Sequence, residues 1–113
     1  LSTTEQVIVD RWDGDYKTAM LAVAIFDCGE SGMNKDAVSK TGDLGVAQIN
    51  WPINGKVIKE KLGFTPADMF DVKKNIDAAY LIWDRGDGVE GNKQGNFNAW
   101  YGYTNGGYVK CFE

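Results

Sequence analysis

One glutamate in this sequence stands where chemistry is easiest to build. Glu30 follows the apolar run Ala19-Met20-Leu21-Ala22-Val23-Ala24-Ile25-Phe26, with Gly29 before it and Gly32 after it. A carboxylate held against an apolar wall loses hydration, which favours its protonated form and raises its pKa. Such an acid keeps its proton near neutral pH and donates it to a leaving oxygen. Position alone favours the plainer account, a solvated glutamate at a helix end. The chain contains no histidine, and so lacks both the commonest neutral-pH base and the commonest metal ligand. Proton transfer must fall to carboxylates or tyrosines, and neither a metal nor any other cofactor is expected. Of the nearby carboxylates, Asp27 lies close behind Glu30 in the same helix and reads as structural. Asp43, flanked by glycines in Gly42-Asp43-Leu44-Gly45, is the candidate second acid. The alternative for it is an Asx-type turn in which the side chain bonds local backbone.

The elements that must position these groups follow from capping and periodicity. Thr3 or Thr4 caps a first helix running through Trp12, and Gly14 ends it. Asp15 caps a second, from Tyr16 to about Gly29, which is apolar nearly all round and reads as a buried central helix. Its alanines and methionine favour helix over strand. From Gly32 to Asn54 glycine, asparagine and proline punctuate the chain, leaving short extended pieces near Gly45 to Trp51 and at most a small hairpin. Helical periodicity returns from about Gly55 to Leu62, and Thr65-Pro66 opens a short helix. Asp71 caps a longer one with Val72, Ile76, Ala79, Tyr80 and Trp83 on its inner face. Asp84 to Gly95 reads as a polar loop, and short helices around Phe97–Tyr101 and Asn105–Cys111 close the chain. The expected fold is mainly α: a helical lobe around a central buried helix, plus a small loop or β-hairpin lobe, flanking a cleft.

Composition bounds the rest. With 113 residues, 43% of them apolar and 25% charged, the chain fits one soluble domain spanning residues 1–113. No apolar run approaches the roughly 20 residues of a membrane span. The net charge is −4, and the densest basic group, Lys56, Lys59 and Lys61, reads as a solvated helix face, so nucleic acid is not an expected partner. Leu1 stands where an initiator methionine would, as expected after removal of an upstream segment. Cys28 and Cys111 are either a disulfide or two buried thiols. A bond between them would contribute on the order of 4 kcal/mol by loop closure and would suit an oxidising compartment.

A resemblance turns the balance at Glu30. The segment Glu30-Ser31, Asn34, Ala37-Val38-Ser39 and Gly42-Asp43-Leu44-Gly45-Val46-Ala47-Gln48-Ile49 resembles the lysozyme-like transglycosylases, that is, the soluble lytic transglycosylase domains and their goose-type lysozyme relatives. That family carries a Glu-Ser at the end of a central helix, then a Gly-x-x-Gly-Leu-Met-Gln-Ile-like turn, then a late Ala-Tyr-Asn-Ala-Gly-like motif. Gly102-Tyr103-Thr104-Asn105-Gly106, preceded by Trp100, is similar to the last of these, and the three elements occur in the family's order.

The resemblance implies an α+β lysozyme-like fold and cleavage of the β-1,4 bond between N-acetylmuramic acid and N-acetylglucosamine in peptidoglycan. Glu30 would be general acid and then general base, with Gln48 and Tyr103 lining the cleft and Tyr103 hydrogen-bonded to Glu30. Ser31, Asn50 and Trp51 are further candidates for substrate contact, Trp51 as a face on which a sugar stacks. Asn50 follows Gln48-Ile49 where goose-type lysozymes carry an aspartate, which weakens any scheme in which that position activates water. An inverting hydrolase needs a second carboxylate about 6.5–9.5 Å from the first, here Asp43. A lytic transglycosylase needs none, because the sugar's own C6 hydroxyl attacks, and the doubtful second carboxylate favours this reaction. Glycan strands are the expected partner, the chain is expected to act as a monomer, and its place is secreted, periplasmic, cell-wall associated or phage-borne. A muramidase, a non-catalytic glycan-binding or structural domain on the same scaffold, and a helical interaction domain that matches by chance remain alternatives.

Overall fold

The computed structural model describes residues 1–86 and 95–113. Helix α1 spans Thr3–Arg11. Its cap is Ser2, one residue before the threonines expected from sequence: Ser2 Oγ accepts from Glu5 N (3.1 Å), and Ser2 N donates to Glu5 Oε1 (3.0 Å). The reciprocal pair satisfies two otherwise orphaned donors, which a threonine one step later would not. Helix α2 spans Tyr16–Ala24, capped by Asp15 as its sequence suggests. The expected continuation to Gly29 is not α-helical. The chain widens into a π-helical turn, Ile25–Glu30, in which Ser31 N reaches Phe26 O at 3.0 Å, five residues back. Ile25 and Phe26 at its start are wholly buried.

The loop-rich lobe holds a two-stranded antiparallel sheet, β1 (Asp43–Leu44) and β2 (Ile49–Asn50), in register Asp43 with Asn50 and Leu44 with Ile49. Helix α3 covers Trp51–Leu62, beginning four residues before the expected Gly55. Asn50 Oδ1 accepts from Ile53 N (2.9 Å) and Pro52 occupies the first turn, a start that suits proline because its missing N–H would have no partner there. A 3-10 turn, Pro66–Phe70, leads into α4, Val72–Arg85, capped by Asp71. The polar loop expected from Asp84 thus begins later than its composition suggests, and residues 87–94 of it lie outside the described residues. Short helix α5 spans Tyr101–Thr104, and a closing 3-10 helix spans Gly107–Phe112. The architecture is mainly α with a small two-stranded sheet, as expected.

The core sits where α1, α2, α4 and the π turn meet. Trp12 is its aromatic hub, with ring centroids 5.3 Å from Tyr80, 5.7 Å from Trp83, 6.0 Å from Phe97 and 6.5 Å from Phe26. Burying one ring the size of Phe26 contributes roughly 1.5–3 kcal/mol, so the apolar run that precedes Glu30 also anchors it. Cys28 and Cys111 are disulfide-bonded, Cα to Cα 5.9 Å, which ties the π turn to the closing 3-10 helix.

Candidate active site

Glu30 ends the π turn, half-buried. One extra residue in a turn rotates the subsequent side chains by about 100° relative to a continued α-helix, so that of Glu30 leaves the face that packs in the core. Opposite it the chain returns as α5, and the two backbones touch at glycines. A Cβ on Gly29 would lie 2.8 Å from Gly102 Cα, and a Cβ on Gly102 would collide with the Gly29 carbonyl. Only this approach lets Gly102 N–H donate to Glu30 Oε1 at 2.9 Å. Burial pushes the Glu30 carboxyl above its ordinary range, the Gly102 N–H pulls it partly back, and the negative charge of Asp43 adds to the rise.

Asp43 enters from β1. Partial burial alone would raise its carboxyl, but hydrogen bonds outweigh that and hold it below the ordinary range. Ser39 Oγ (2.6 Å) and Thr41 Oγ1 (2.9 Å) donate to Oδ2, and Asn50 Nδ2 (3.0 Å) donates to Oδ1. The Asx-type reading of Asp43 thus holds in part: its partners are local, yet the carboxylate also faces the cavity of Glu30.

The turn between β1 and β2 is held from three directions. Asn75 of α4 is wholly buried: its Oδ1 accepts from Ala47 N (2.9 Å), and its Nδ2 donates to Leu44 O and Met69 O (both 2.9 Å). Ser31 Oγ donates to Val46 O (2.6 Å), and Trp100 Nε1 donates to Ala47 O (2.8 Å). Gly45 leaves room for this, since a Cβ there would strike Met69 O and the Asn75 amide. Gln48, in the left-handed region at φ 51°, sends its Nε2 to Gly45 O (3.0 Å) and Ala37 O (3.2 Å).

A cavity of about 100 Å³ gathers Glu30, Asp43, Gln48, Asn50, Trp100 and Tyr101, among others. Four of the seven residues anticipated for catalysis or substrate contact therefore converge. Gln48 does so with its amide nitrogen committed to its own turn, and Asn50 while capping α3. The other three lie outside the cavity lining. Ser31 ties the π turn to the β-turn. Trp51 packs its ring against Gly55 in its own helix. Tyr103 stacks on Tyr108 at 5.3 Å and packs near Phe97 at 6.1 Å. Among the described residues no hydrogen bond joins Tyr103 to Glu30. The helical phase of α5 turns that ring into an aromatic layer and gives the contact to the backbone of its neighbour, Gly102. Tyr101, exposed at the cavity rim, was not singled out from sequence, although it lies two residues before Tyr103.

A wider hollow of about 580 Å³ between α1 and α4 is lined by Asp10, Asp84 and the paired charges of Arg11, Lys73 and Asp77. There Arg11 meets Asp77 at 3.2 Å and lies 3.7 Å over the Tyr80 ring, and Lys73 meets Asp77 at 2.6 Å. Neither Glu30 nor Asp43 lines it.

Comparison with known families decides what that cavity belongs to. The family described as the transglycosylase SLT domain matches residues 12–108, which takes in the elements from α2 to α5 and the first two residues of the closing 3-10 helix. The chain belongs to the transglycosylase SLT family. No curated protein and no solved structure matches the chain closely enough to be counted. The SLT domain is a lysozyme-like glycosidase fold, so the chain is an enzyme of a class that acts on peptidoglycan. The reading of a chance helical match is thereby closed. The SLT match spans the central helix, the β-turn lobe and the late tyrosine segment together, the three pieces on which the resemblance was built.

Proposed function

We propose that this chain is a lytic transglycosylase in which Glu30 acts first as general acid and then as general base, giving 1,6-anhydro-muramoyl ends. The observation that carries the reading is a contrast within one cavity. Glu30 is the carboxyl raised by burial, and Asp43 is the carboxyl held ionised by three side-chain donors. Gly102 N–H occupies Glu30 Oε1, which leaves Oε2 to carry the proton. Oε2–H protonates the glycosidic oxygen as its bond to C1 of N-acetylmuramic acid breaks. The oxocarbenium-like sugar is then attacked by its own C6 hydroxyl, whose proton returns to Glu30. No water enters, and the acid ends as it began.

Asp43 favours this route over hydrolysis. Its oxygens are already accepting hydrogen bonds and its basicity is lowered, so it is poorly suited to take a proton from water. Its negative charge still faces the cavity, where it helps stabilise positive charge developing on the sugar. Because the substrate lies outside the cytoplasm and the Cys28–Cys111 bond suits an oxidising compartment, we place the enzyme in the periplasm or at the cell wall. Residues 1–113 are read as one catalytic unit.

Clearing of purified cell walls tests the acid. Glu30→Gln keeps size and hydrogen bonding but removes the proton, and activity should fall by about 10²-fold or more. Equal clearing by both proteins would overturn the assignment and favour a glycan-binding or structural role. Mass spectrometry of the released fragments then reads the reaction type. Anhydro-muramoyl ends are expected, whereas reducing ends would mean a muramidase.

A further inference from the structure

The Cys28–Cys111 disulfide joins the segment that carries Glu30 to the closing segment. Cys28 lies in the π turn two residues before Glu30, and Cys111 lies in the closing 3-10 helix. The backbone of α5, whose Gly102 N–H meets Glu30, packs against both. Three glycines bring these stretches together: a Cβ on Gly107 would lie 3.6 Å from both Gly102 O and Gly29 Cα. Apart from the bond, the closing helix rests on its close backbone approach to the π turn and on Tyr108 at the edge of the core. None of its residues is buried, and Phe112 is 63% exposed. The stacked Tyr103 and Tyr108 rings are its main apolar contact with α5.

We infer that the Cys28–Cys111 bond is a positioning device for the general acid: by clamping the closing helix to the π turn, it keeps the Gly102 N–H seated on Glu30. The inference rests on the reading of Glu30 as the acid. With none of its residues buried, the closing helix draws little docking energy from apolar burial, and the covalent bond beside the reacting group adds to it. Reduction by a dithiol opens the S–S bond to two thiols, the dithiol itself being oxidised to a disulfide. It would release the closing helix and let α5 shift against Gly29. The enzyme is then fully armed only when oxidised. A purely global role predicts something else, because a crosslink 83 residues apart also constrains the unfolded chain and would support all helices alike.

The two accounts separate by NMR and kinetics on wild type and Cys28→Ser/Cys111→Ser. In the oxidised protein the Gly102 amide resonance should follow the titration of Glu30, because the two are hydrogen-bonded. In the double variant it should cease to follow, while the amide resonances of Ile76 and Ala79 in α4 stay in place. Turnover of soluble peptidoglycan strands should fall by about tenfold or more in kcat with KM changed less than about threefold, as expected when a reacting group is misplaced rather than binding lost. Should Gly102 still track Glu30 with an unchanged midpoint, or should the α4 resonances collapse together with it, the inference is overturned. The titration needs no catalysis. A wild type that fails to cut peptidoglycan would sink the proposed function while this coupling is still read.

Discussion

Glu30 and Asp43 face one cavity from two differently built regions. The Glu30 side is made of backbone: a π turn, two glycines in contact, and a single N–H at 2.9 Å. The Asp43 side is made of side chains, with Ser39, Thr41 and Asn50 all donating to the carboxylate. Apolar packing with one donor leaves a carboxyl reluctant to ionise, and three donors leave one reluctant to be protonated. The same residue chemistry thus yields an acid on one wall and a fixed anion on the other. On the proposed reading, this is the division of labour that glycosidic cleavage by a single proton shuttle needs.

The most damaging way to break the comparison on the acid side is Gly102→Ala. The added methyl runs into the Gly29 carbonyl, so the two backbones must part and the N–H leaves Glu30. Misplacement of a reacting group by about 1 Å costs about 10²-fold in rate, and forced overpacking costs about 1–3 kcal/mol of stability. Wall-clearing rates and a denaturation midpoint read both effects. Undiminished clearing would mean that the glycine contact does not position the acid.

A smaller effect is expected on the other wall. Asp43→Asn removes the fixed charge but keeps an acceptor for the Ser39 and Thr41 hydroxyls. If Glu30 alone moves the proton, activity should fall by less than about tenfold. A general base that activates water is worth about 10²–10⁴-fold, so a loss of that size would make Asp43 the missing base and the enzyme a hydrolase. Fragment ends measured on the same variant sharpen the distinction.

These two walls were not equally legible in the sequence. The acid side announced itself through the apolar run before Glu30 and the glycines around it, because desolvation is written in composition. Its geometry was hidden. A π turn differs from an α-helix by one hydrogen-bond step, and no residue type in Ile25–Glu30 marks it. The Gly29–Gly102 contact joins positions 73 apart in sequence, and neither glycine shows on its own that it faces the other. Tyr103 was the residue expected beside Glu30. A motif gives neighbourhood, whereas the phase of a four-residue helix decides which neighbour points inward. The Asp43 side was readable as a turn but not as a network. One signal was present there: Asn75 lies between Val72 and Ile76 on an otherwise apolar helix face, and a buried amide must find partners. It finds them in Leu44, Ala47 and Met69, and so fixes the lobe that carries Asp43.

The smallest expected effect is also the one that compares the walls most directly, through stability against pH. Glu30 has a raised pKa in the folded state, so its contribution is most favourable below the unfolded value of about 4.3 and is lost as pH rises through the folded value. Glu30→Gln has nothing to lose there. Its melting temperature should match wild type most closely near pH 4 and gain on it as pH rises toward 7, even as activity disappears. Asp43 is lowered in the folded state, so its contribution is present above the unfolded value of about 3.9 and is lost as pH falls through the folded value. Asp43→Asn should therefore lag wild type most at neutral pH and recover toward acid. Two difference curves of opposite slope are expected from thermal unfolding across that range. If both variants run parallel to wild type, neither carboxylate is perturbed by its surroundings, and the contrast between the two walls loses its physical basis.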